Sequence, residues 1–196
     1  QIDSKLMVSD LDSEFRFDKD GNGFKKDLYE SSISDFDVIL MRLPRPIEDS
    51  FLKWLKAENP DKVIINDPEG IIITSNKSFL LNFPDLCPPI KIVDNIEDIK
   101  AMASRYPIVL KPLKEYGGRG LIRISDDKVN DGSTDHEMVA YFDTYSNTYN
   151  GNEYLAMQYL KNIDQGDKRI IVVDGEIMGA SLRTPPEGSW LCNIAQ

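Results

Sequence analysis

The sequence predicts an α/β fold in which a lobe with a central parallel sheet is followed by an α+β lobe. Between residues 36 and 66, two apolar runs flank a helical pattern, which is typical of a parallel crossover unit. After residue 93, strand patterns dominate, and a glycine-rich segment connects two of them. We therefore expect a first lobe over residues 1–92 and a second lobe over residues 93–196.

The crossover unit is predicted from three consecutive segments. FDVILMRL, residues 36–43, is a continuous apolar run of the kind found in strands buried on both faces. A helical stripe follows in residues 47–59 and is ended by Pro60, and KVIIN, residues 62–66, is a second apolar strand. These lengths favour two parallel strands joined by one helix.

The second lobe begins with an amphipathic helix over residues 95–106, because Asp94 and Glu97 have capping-box spacing and Pro107 ends the pattern. Strands are predicted at 108–112 and 121–125, with a helix at 135–147. Three further strands are expected in YLAMQYL, KRIIVVDGE and IMGASLR, the last two joined by an Asp-Gly turn.

Composition restricts the ligands and partners. The 33 acidic and 23 basic residues give a net charge of -10, which disfavours nucleic acid and anionic membranes but permits a local pocket for a small anion. Cys87 and Cys192 are far apart and indicate neither a disulfide framework nor a zinc site. No apolar run reaches the ~20 residues of a membrane span. We expect a cytoplasmic protein and, because the chain begins without Met and stops soon after PPEG, an incomplete one.

A calcium loop is suggested and then excluded by residues 18–23, DKDGNG. Asp18, Asp20, Asn22 and Gly23 occupy positions one, three, five and six of such a loop, but position twelve is Tyr29 rather than an acidic residue. We predict a polar turn here and no metal ligand.

The segment VLKPLKEYGGRG, residues 109–120, suggests a phosphate site. Lys111 supplies positive charge at a strand end, and Gly117, Gly118 and Gly120 allow backbone amides to approach phosphate oxygens. Neither a Walker loop nor a Rossmann fingerprint is present. A hairpin loop that needs positive φ angles explains the same residues, and both interpretations remain open.

Three other segments are compatible with the same ligand, and a fourth, at Arg42, with a peptide substrate. Backbone groups of Gln158 to Leu160 lie at a strand end where they can contact an adenine edge, although a core strand explains them equally. Asp167 and Arg169 are charged residues grouped at the start of a buried strand, or else they lie in a solvated loop. Arg183 precedes PPEG and can grip a phosphate or carboxylate, or lie on the surface. Arg42 ends a strand, where open α/β sheets face their ligand crevice, or it forms a structural ion pair.

The order of these segments resembles the ATP-grasp ligases, and the match is closest to the prokaryotic-type glutathione synthetase family. The shared motifs are DVILMR (37–42), INDP (65–68), NK (76–77), VLKP with GGRG (109–120) and GDKRIIVVDGE (166–176). The resemblance runs from about residue 35 to the end, and the GDKR–VVDGE motif is its most specific part. It implies an ATP-grasp fold.

The resemblance also implies roles for individual residues. Lys77 and Lys111 would contact the phosphates of ATP, and the three loop glycines would form a small lid. Met157, Gln158, Tyr159 and Leu160 would line the adenine pocket, with Asp167 near the ribose or the adjoining substrate groups. Arg169 and Arg183 would act in catalysis, and Arg42 and Asn193, the latter on a larger lid that starts near Thr184, would contact substrates.

The implied reaction is ATP-dependent, ADP-forming amide synthesis, in which the carboxylate of γ-glutamylcysteine is phosphorylated and glycine then displaces phosphate. Mg²⁺ is implied as well, with ligands expected beyond the end of this chain, and we expect a homo-oligomer. Lys114, Glu115 and Tyr116 are bulkier than is usual in this loop, and Leu191 stands where the family often has an arginine. Two alternatives therefore stay open, which are a ligase with another acceptor and a non-catalytic nucleotide-binding module.

Overall fold

The computed structural model describes residues 5–16, 20, 22–43 and 46–192. By its internal contacts the chain divides into two compact units, with the boundary in the chain between Ile72 and Ile73. The predicted lobe boundary at residue 92 stays a prediction about the organisation of the whole protein.

The first unit contains the predicted parallel crossover. Strand β1 (Lys5–Val8) pairs antiparallel with β2 (Tyr29–Ser32). Strand β3 (Val38–Leu40) pairs parallel with β4 (Val63–Ile65), and helix α1 (Asp49–Glu58) connects these two strands. Helix α2 (Pro68–Ser75) begins in this unit and ends in the second, and short 3-10 helices occupy Asn22–Lys25 and Ile33–Asp35. The polar DKDGNG segment lies in the connection between β1 and β2, and its residues 18, 19 and 21 are outside the described ones.

The second unit is built on a six-stranded sheet with the order β5-β10-β6-β7-β8-β9, in which every neighbouring pair is antiparallel. Its strands are β5 (Ile90–Val93), β6 (Ile108–Pro112), β7 (Ile122–Ser125), β8 (Lys128–Asn130), β9 (Asp135–Glu137) and β10 (Tyr154–Gln158). Its helices are α3 (Ile96–Ala103), α4 (Met138–Thr144) and α5 (Ser146–Tyr149), with 3-10 helices at Lys77–Asn82, Pro84–Leu86 and Lys161–Gln165.

One face of this sheet forms the hydrophobic core. Because side chains alternate along a strand, Ile108 and Leu110 of β6 and Ile122 and Ile124 of β7 all point to the same side. There they pack with residues of α3, α4 and α5, including Ile99, Met102, Phe142 and Tyr149. The intervening residues of β6 and β7 therefore face the opposite side of the sheet.

Two details of the helices differ from prediction. Asn95, rather than Asp94, caps α3, and its side chain accepts a hydrogen bond from the N–H of Asp98. Residues 135–137 form β9, because they pair with β8, and the predicted helix begins only at Met138.

The last element is a two-stranded hairpin of β11 (Asp167–Val173) and β12 (Glu176–Arg183). Asp174 and Gly175 connect the strands with φ angles of 49° and 80°, as a two-residue primed turn requires. This confirms the predicted Asp-Gly turn. Within the described ranges, no helix combines the length and the apolar character needed to cross a bilayer.

Candidate functional site

A pocket of about 180 Å³ lies in the second unit, on the sheet face opposite the core. Val109 and Lys111 of β6 and Met157 of β10 reach it because they alternate with core residues along their strands. Its other lining residues are Leu121, Tyr159, Leu160, Ile163, Asp167, Trp190, Leu191 and Cys192. The pocket is thus a mainly apolar cleft with one lysine and one aspartate.

Lys111 brings a positive charge into this apolar surrounding. Its Nζ lies 3.2 Å from Sδ of Met157, and the described residues provide no carboxylate in a salt bridge with it. Burial lowers the pKa of the Lys111 ammonium group, an effect that the nearby Cys87 thiol opposes. A bound anion would supply the missing counter-charge.

Lys77 adds a second cation beside the first. Its Nζ donates to the carbonyl oxygens of Pro112 at 2.7 Å and of Glu115, at the start of the loop that follows β6. Burial lowers the pKa of Lys77, and the positive charge of Lys111 lowers it further. The two lysines are therefore close enough for their charges to interact.

The glycine-rich loop leaves β6 next to these lysines. Gly117, Gly118 and Gly120 have φ angles of 67°, 82° and 68°, which are accessible mainly to glycine. At Gly120 a Cβ atom would approach Cγ of Pro112 to 2.9 Å, so the loop also needs glycine there for space. The loop is anchored by the Tyr116 hydroxyl, which donates to the carbonyl of Ser75 at 2.8 Å.

At the end of β10, two carbonyl groups lack their usual ladder donors. The N–H of Gln158 donates to Pro89 at 2.9 Å, and the N–H of Tyr159 donates to Pro107 at 2.8 Å. Since proline has no N–H, neither partner returns a hydrogen bond to the carbonyl of Gln158 or Tyr159. These carbonyls are suited to accept from a ligand.

The hairpin contributes an acidic and a basic residue at the pocket margin. Nε of Arg183 donates to Oδ1 of Asp167 at 2.8 Å, and Asp167 lines the pocket. This pairing raises the pKa of the Arg183 guanidinium. Arg169 is exposed and, being two residues after Asp167 on β11, projects from the same face of the hairpin.

The predicted site residues fall into three groups. Lys111, Met157, Tyr159, Leu160 and Asp167 line one pocket, and Gln158 precedes Tyr159 at the end of β10. Lys77, the three glycines, Arg169 and Arg183 lie on elements next to the pocket-lining residues. Arg42 is exposed in the first unit after β3, and Asn193 lies outside the described residues.

Several pocket residues were not predicted. Ile163, Trp190 and Cys192 come from segments after the strands, and only long-range packing brings them to the pocket. The signal in the sequence was weak and consisted of a tryptophan that follows a Pro-Pro-Glu-Gly turn. In the part of the chain that the structure describes, no three His, Cys, Asp or Glu side chains are grouped so that they could hold a metal ion.

Comparison with solved structures identifies the fold of the chain. An ATP-grasp RimK-domain protein of Sphaerobacter thermophilus superposes with a TM-score of 0.58 at 20% identity, covering 76% of this chain and 56% of the other. The D-cycloserine synthetase DcsG gives a TM-score of 0.57 at 14% identity, covering 77% and 53%. The fold is therefore that of the ATP-grasp proteins, as the sequence predicted.

Sequence comparison narrows the class to one family. Residues 76–196 match the model of the prokaryotic glutathione synthetase ATP-grasp domain, so the chain belongs to that family. The glutathione synthetase of Bradyrhizobium diazoefficiens is 31% identical over 84% of this chain, and that of Vibrio vulnificus strain YJ016 is 31% identical over 99%. The chain spans 51% and 61% of the lengths of these two relatives.

Proposed function

We propose that the parent protein is an ATP-dependent glutathione synthetase that joins γ-glutamylcysteine to glycine through an acyl phosphate. Relatives with that name match most of the chain, and the pocket offers an apolar surface for a base together with Lys111, beside which Lys77 adds a second cation for phosphates. ATP supplies the phosphoryl group that activates the carboxylate, and glycine's amine then displaces phosphate as the amide forms. The chain's own residues bind and orient these reactants.

The observation that carries the proposal is the environment of Lys111. A buried ammonium group is destabilised by loss of water, and the described residues give it no carboxylate partner. Lys77 lies close enough to add repulsion. Two adjacent cations beside a glycine loop favour a ligand with several negative charges, as a nucleotide triphosphate has.

The adenine end of the ligand would lie over the apolar lining. Met157 and Leu160 provide surface for the ring, and one of the two carbonyls, that of Gln158 on the β5 side or that of Tyr159 on the β6 side, can accept from an exocyclic amino group. An adenine has such a donor and a guanine edge presents an acceptor at the equivalent place. The proline partners of β10 therefore favour ATP over GTP.

The hairpin residues would act on the reacting groups. Arg183 uses two of its five N–H groups on Asp167, which leaves donors for a phosphate or carboxylate oxygen. Arg169 offers a second guanidinium on the same face of β11. We assign orientation of the transferred phosphate and of the peptide carboxylate to these two arginines.

Mg²⁺, the cellular location and the assembly belong to the same proposal. The described residues show no carboxylate cluster for a metal, so no step is assigned to Mg²⁺ ligands of this chain. Residues beyond Gln196 of the parent protein would hold it. We further propose a cytoplasmic homo-oligomer that acts on small molecules, with Arg42 and Asn193 as substrate contacts.

One observation favours a second candidate, a ligase with a different acceptor. Leu191 lines the pocket and gives it an apolar group at a position for which the family resemblance implies an arginine. An acceptor less acidic than a peptide carboxylate would suit this surface. Substrate identity is thus the point that an assay must decide.

The deciding experiment measures ADP release by the full-length parent protein with Mg²⁺, ATP and γ-glutamylcysteine, with and without glycine. The proposal expects release that requires both substrates. It also expects Lys111→Ala to reduce release at least tenfold, since a phosphate contact is lost. Lys53→Ala, which changes an exposed lysine of α1, serves as the matched control.

Two results would argue against the proposal. ATP binding without ADP release in the presence of both substrates would favour another acceptor or a non-catalytic module. Unchanged release by Lys111→Ala would remove the assigned role of the buried lysine.

A further inference from the structure

We propose that Trp190 is the aromatic wall of the base-binding part of the pocket and that Asn130 and Arg123 position it. Trp190 lines the pocket together with Met157 and Leu160, yet it comes from the segment after the hairpin. The inference rests on the proposed nucleotide function and adds a residue that determines how tightly the base is held.

The indole is fixed by a hydrogen bond across the sheet. Nε1 of Trp190 donates to Oδ1 of Asn130 at 2.7 Å. That oxygen also accepts from the N–H of Gly132 at 2.9 Å, while Nδ2 of Asn130 donates to Asp135 at 2.8 Å. Because both the oxygen and the nitrogen of the amide have other partners, Oδ1 of Asn130 is oriented independently of its hydrogen bond with the indole.

Arg123 supports the indole from the sheet. Its guanidinium carbon lies 5.8 Å from the ring centre of Trp190 and 5.5 Å from that of Tyr159. The two rings meet edge to face with centres 6.4 Å apart. A guanidinium shared by two aromatic rings is a favourable cation–π arrangement, and Tyr159 itself belongs to the pocket lining.

A second contact secures the neighbouring residue. Gly132 has a φ angle of 101°, and a Cβ there would approach Cδ1 of Leu191 to 3.1 Å. Leu191 therefore packs against a position that only glycine occupies without strain. The segment that carries Trp190 is held at Asn130, the last residue of β8, and at Gly132 in the β8–β9 connection.

This arrangement assigns different tasks to different pocket residues. An aromatic ring stacks on any base, so Trp190 would raise affinity without selecting the base. Selection would remain with the carbonyls of Gln158 and Tyr159. The hydrogen bond to Asn130 would lower the cost of binding by fixing the ring beforehand.

The test measures the Kd for ADP by calorimetry with the full-length parent protein. We expect Trp190→Ala to raise the Kd about tenfold and Trp190→Phe to raise it about threefold, because phenylalanine retains a stacking face. Asn130→Ala should raise it about threefold in the wild-type background and add nothing to Trp190→Phe, since its effect passes through the indole N–H. Asn152→Ala removes an exposed asparagine amide remote from the pocket residues and should leave the Kd unchanged.

A second readout does not depend on nucleotide. The tryptophan emission that disappears in Trp190→Phe should become more accessible to acrylamide when Asn130 is changed to Ala. Unchanged quenching would overturn the positioning role of Asn130.

The outcomes separate the inference from the function. Normal ADP binding by Trp190→Ala would overturn the aromatic wall and leave the proposed function standing. Failure of the wild-type protein to bind ADP at all would overturn both the function and the wall. In that case the quenching result would still decide whether Asn130 holds the indole.

Discussion

Asp167 and Arg183 form a two-point ion pair at the open end of the hairpin, with Nε donating to Oδ1 at 2.8 Å and Nη2 donating to Oδ2. The two residues are direct partners in the register of β11 and β12. Gly166 precedes the pair with a φ angle of 95°, and a Cβ there would come within 2.4 Å of the Arg183 carbonyl oxygen. Backbone and side chains together therefore fix the direction of the guanidinium.

Arg183→Lys tests whether that direction matters for the reaction. An ammonium group cannot reproduce the planar two-point contact, so the remaining donors lose their alignment. We expect turnover to fall at least tenfold while the Kd for ADP changes less than about threefold. Steady-state ADP release and calorimetry measure the two quantities. Arg105→Lys, at an exposed site after α3, should change neither.

Lys111→Met tests whether the charge of Lys111 lowers the free energy of unfolding while it strengthens ADP binding. Lys111 is half-buried and has no carboxylate partner among the described residues, so removing its charge should raise the free energy of unfolding by about 1 kcal/mol. The same change should weaken ADP binding at least tenfold. Urea unfolding and calorimetry give the two values, with Lys53→Met as the exposed control. A loss of stability together with unchanged ADP binding would contradict both expectations.

The pH dependence of unfolding offers an independent check on Lys111. Because burial lowers the pKa of Lys111 below its ordinary 10.5, the unfolded chain binds more protons in the interval between these two values. The wild-type protein should therefore gain stability as pH rises through that interval. Lys111→Met should lack this gain, and parallel pH profiles for the two proteins would contradict the prediction.

Local patterns in the sequence predicted most of the strands, and the reason is physical. Alternation along β6 and β7 and the Asp-Gly turn of the hairpin are set by neighbours in the chain. The cap of α3 was wrong by one residue because Asp94 and Asn95 both precede an acidic residue by three positions. Geometry selects Asn95, whose Oδ1 lies 2.8 Å from the N–H of Asp98.

Features that depend on distant partners were missed. Residues 135–137 have a helical pattern, yet pairing with β8 makes them a strand, so tertiary context overrides local preference. Trp190 reaches the pocket through a contact with Asn130, 60 residues away in the chain. The residue pattern within either segment does not predict a contact between residues so far apart in the chain.

Gly120→Ala tests the space requirement of the glycine loop. Alanine at a φ angle of 68° is strained, and its Cβ would also meet Cγ of Pro112 at 2.9 Å. Gly151→Ala is the matched control, since its φ angle is 82° but no atom lies within 4 Å of the added Cβ. We expect both variants to lose about 1 kcal/mol from strain and Gly120→Ala to lose about 1 kcal/mol more. If both variants lost the same free energy of unfolding in urea, the loop would be able to shift away from Pro112 and the predicted steric clash would be wrong.

Asp131→Asn tests an electrostatic anchor in the β8–β9 connection. The N–H groups of Ser133 and Thr134 donate to Oδ1 of Asp131 at 2.9 Å, and Nε2 of His136 lies 3.0 Å from Oδ2. These contacts, the backbone ones foremost, hold the pKa of Asp131 well below its ordinary 3.8. A lowered carboxyl pKa stabilises the fold above the unfolded value, and this contribution is lost as pH falls towards the folded value.

We therefore expect Asp131→Asn to lower the free energy of unfolding by about 1 kcal/mol at pH 7, a modest figure because the carboxylate is about one-third exposed. The difference from wild type should shrink as pH falls below about 4. Asp143→Asn, at an exposed position on α4, should show no such difference. Repeating the pair of measurements in a His136→Gln background should preserve most of the effect, because the backbone donors remain. If the effect vanished there instead, the ion pair with His136, and not the backbone of residues 133 and 134, would be the source of the stabilisation.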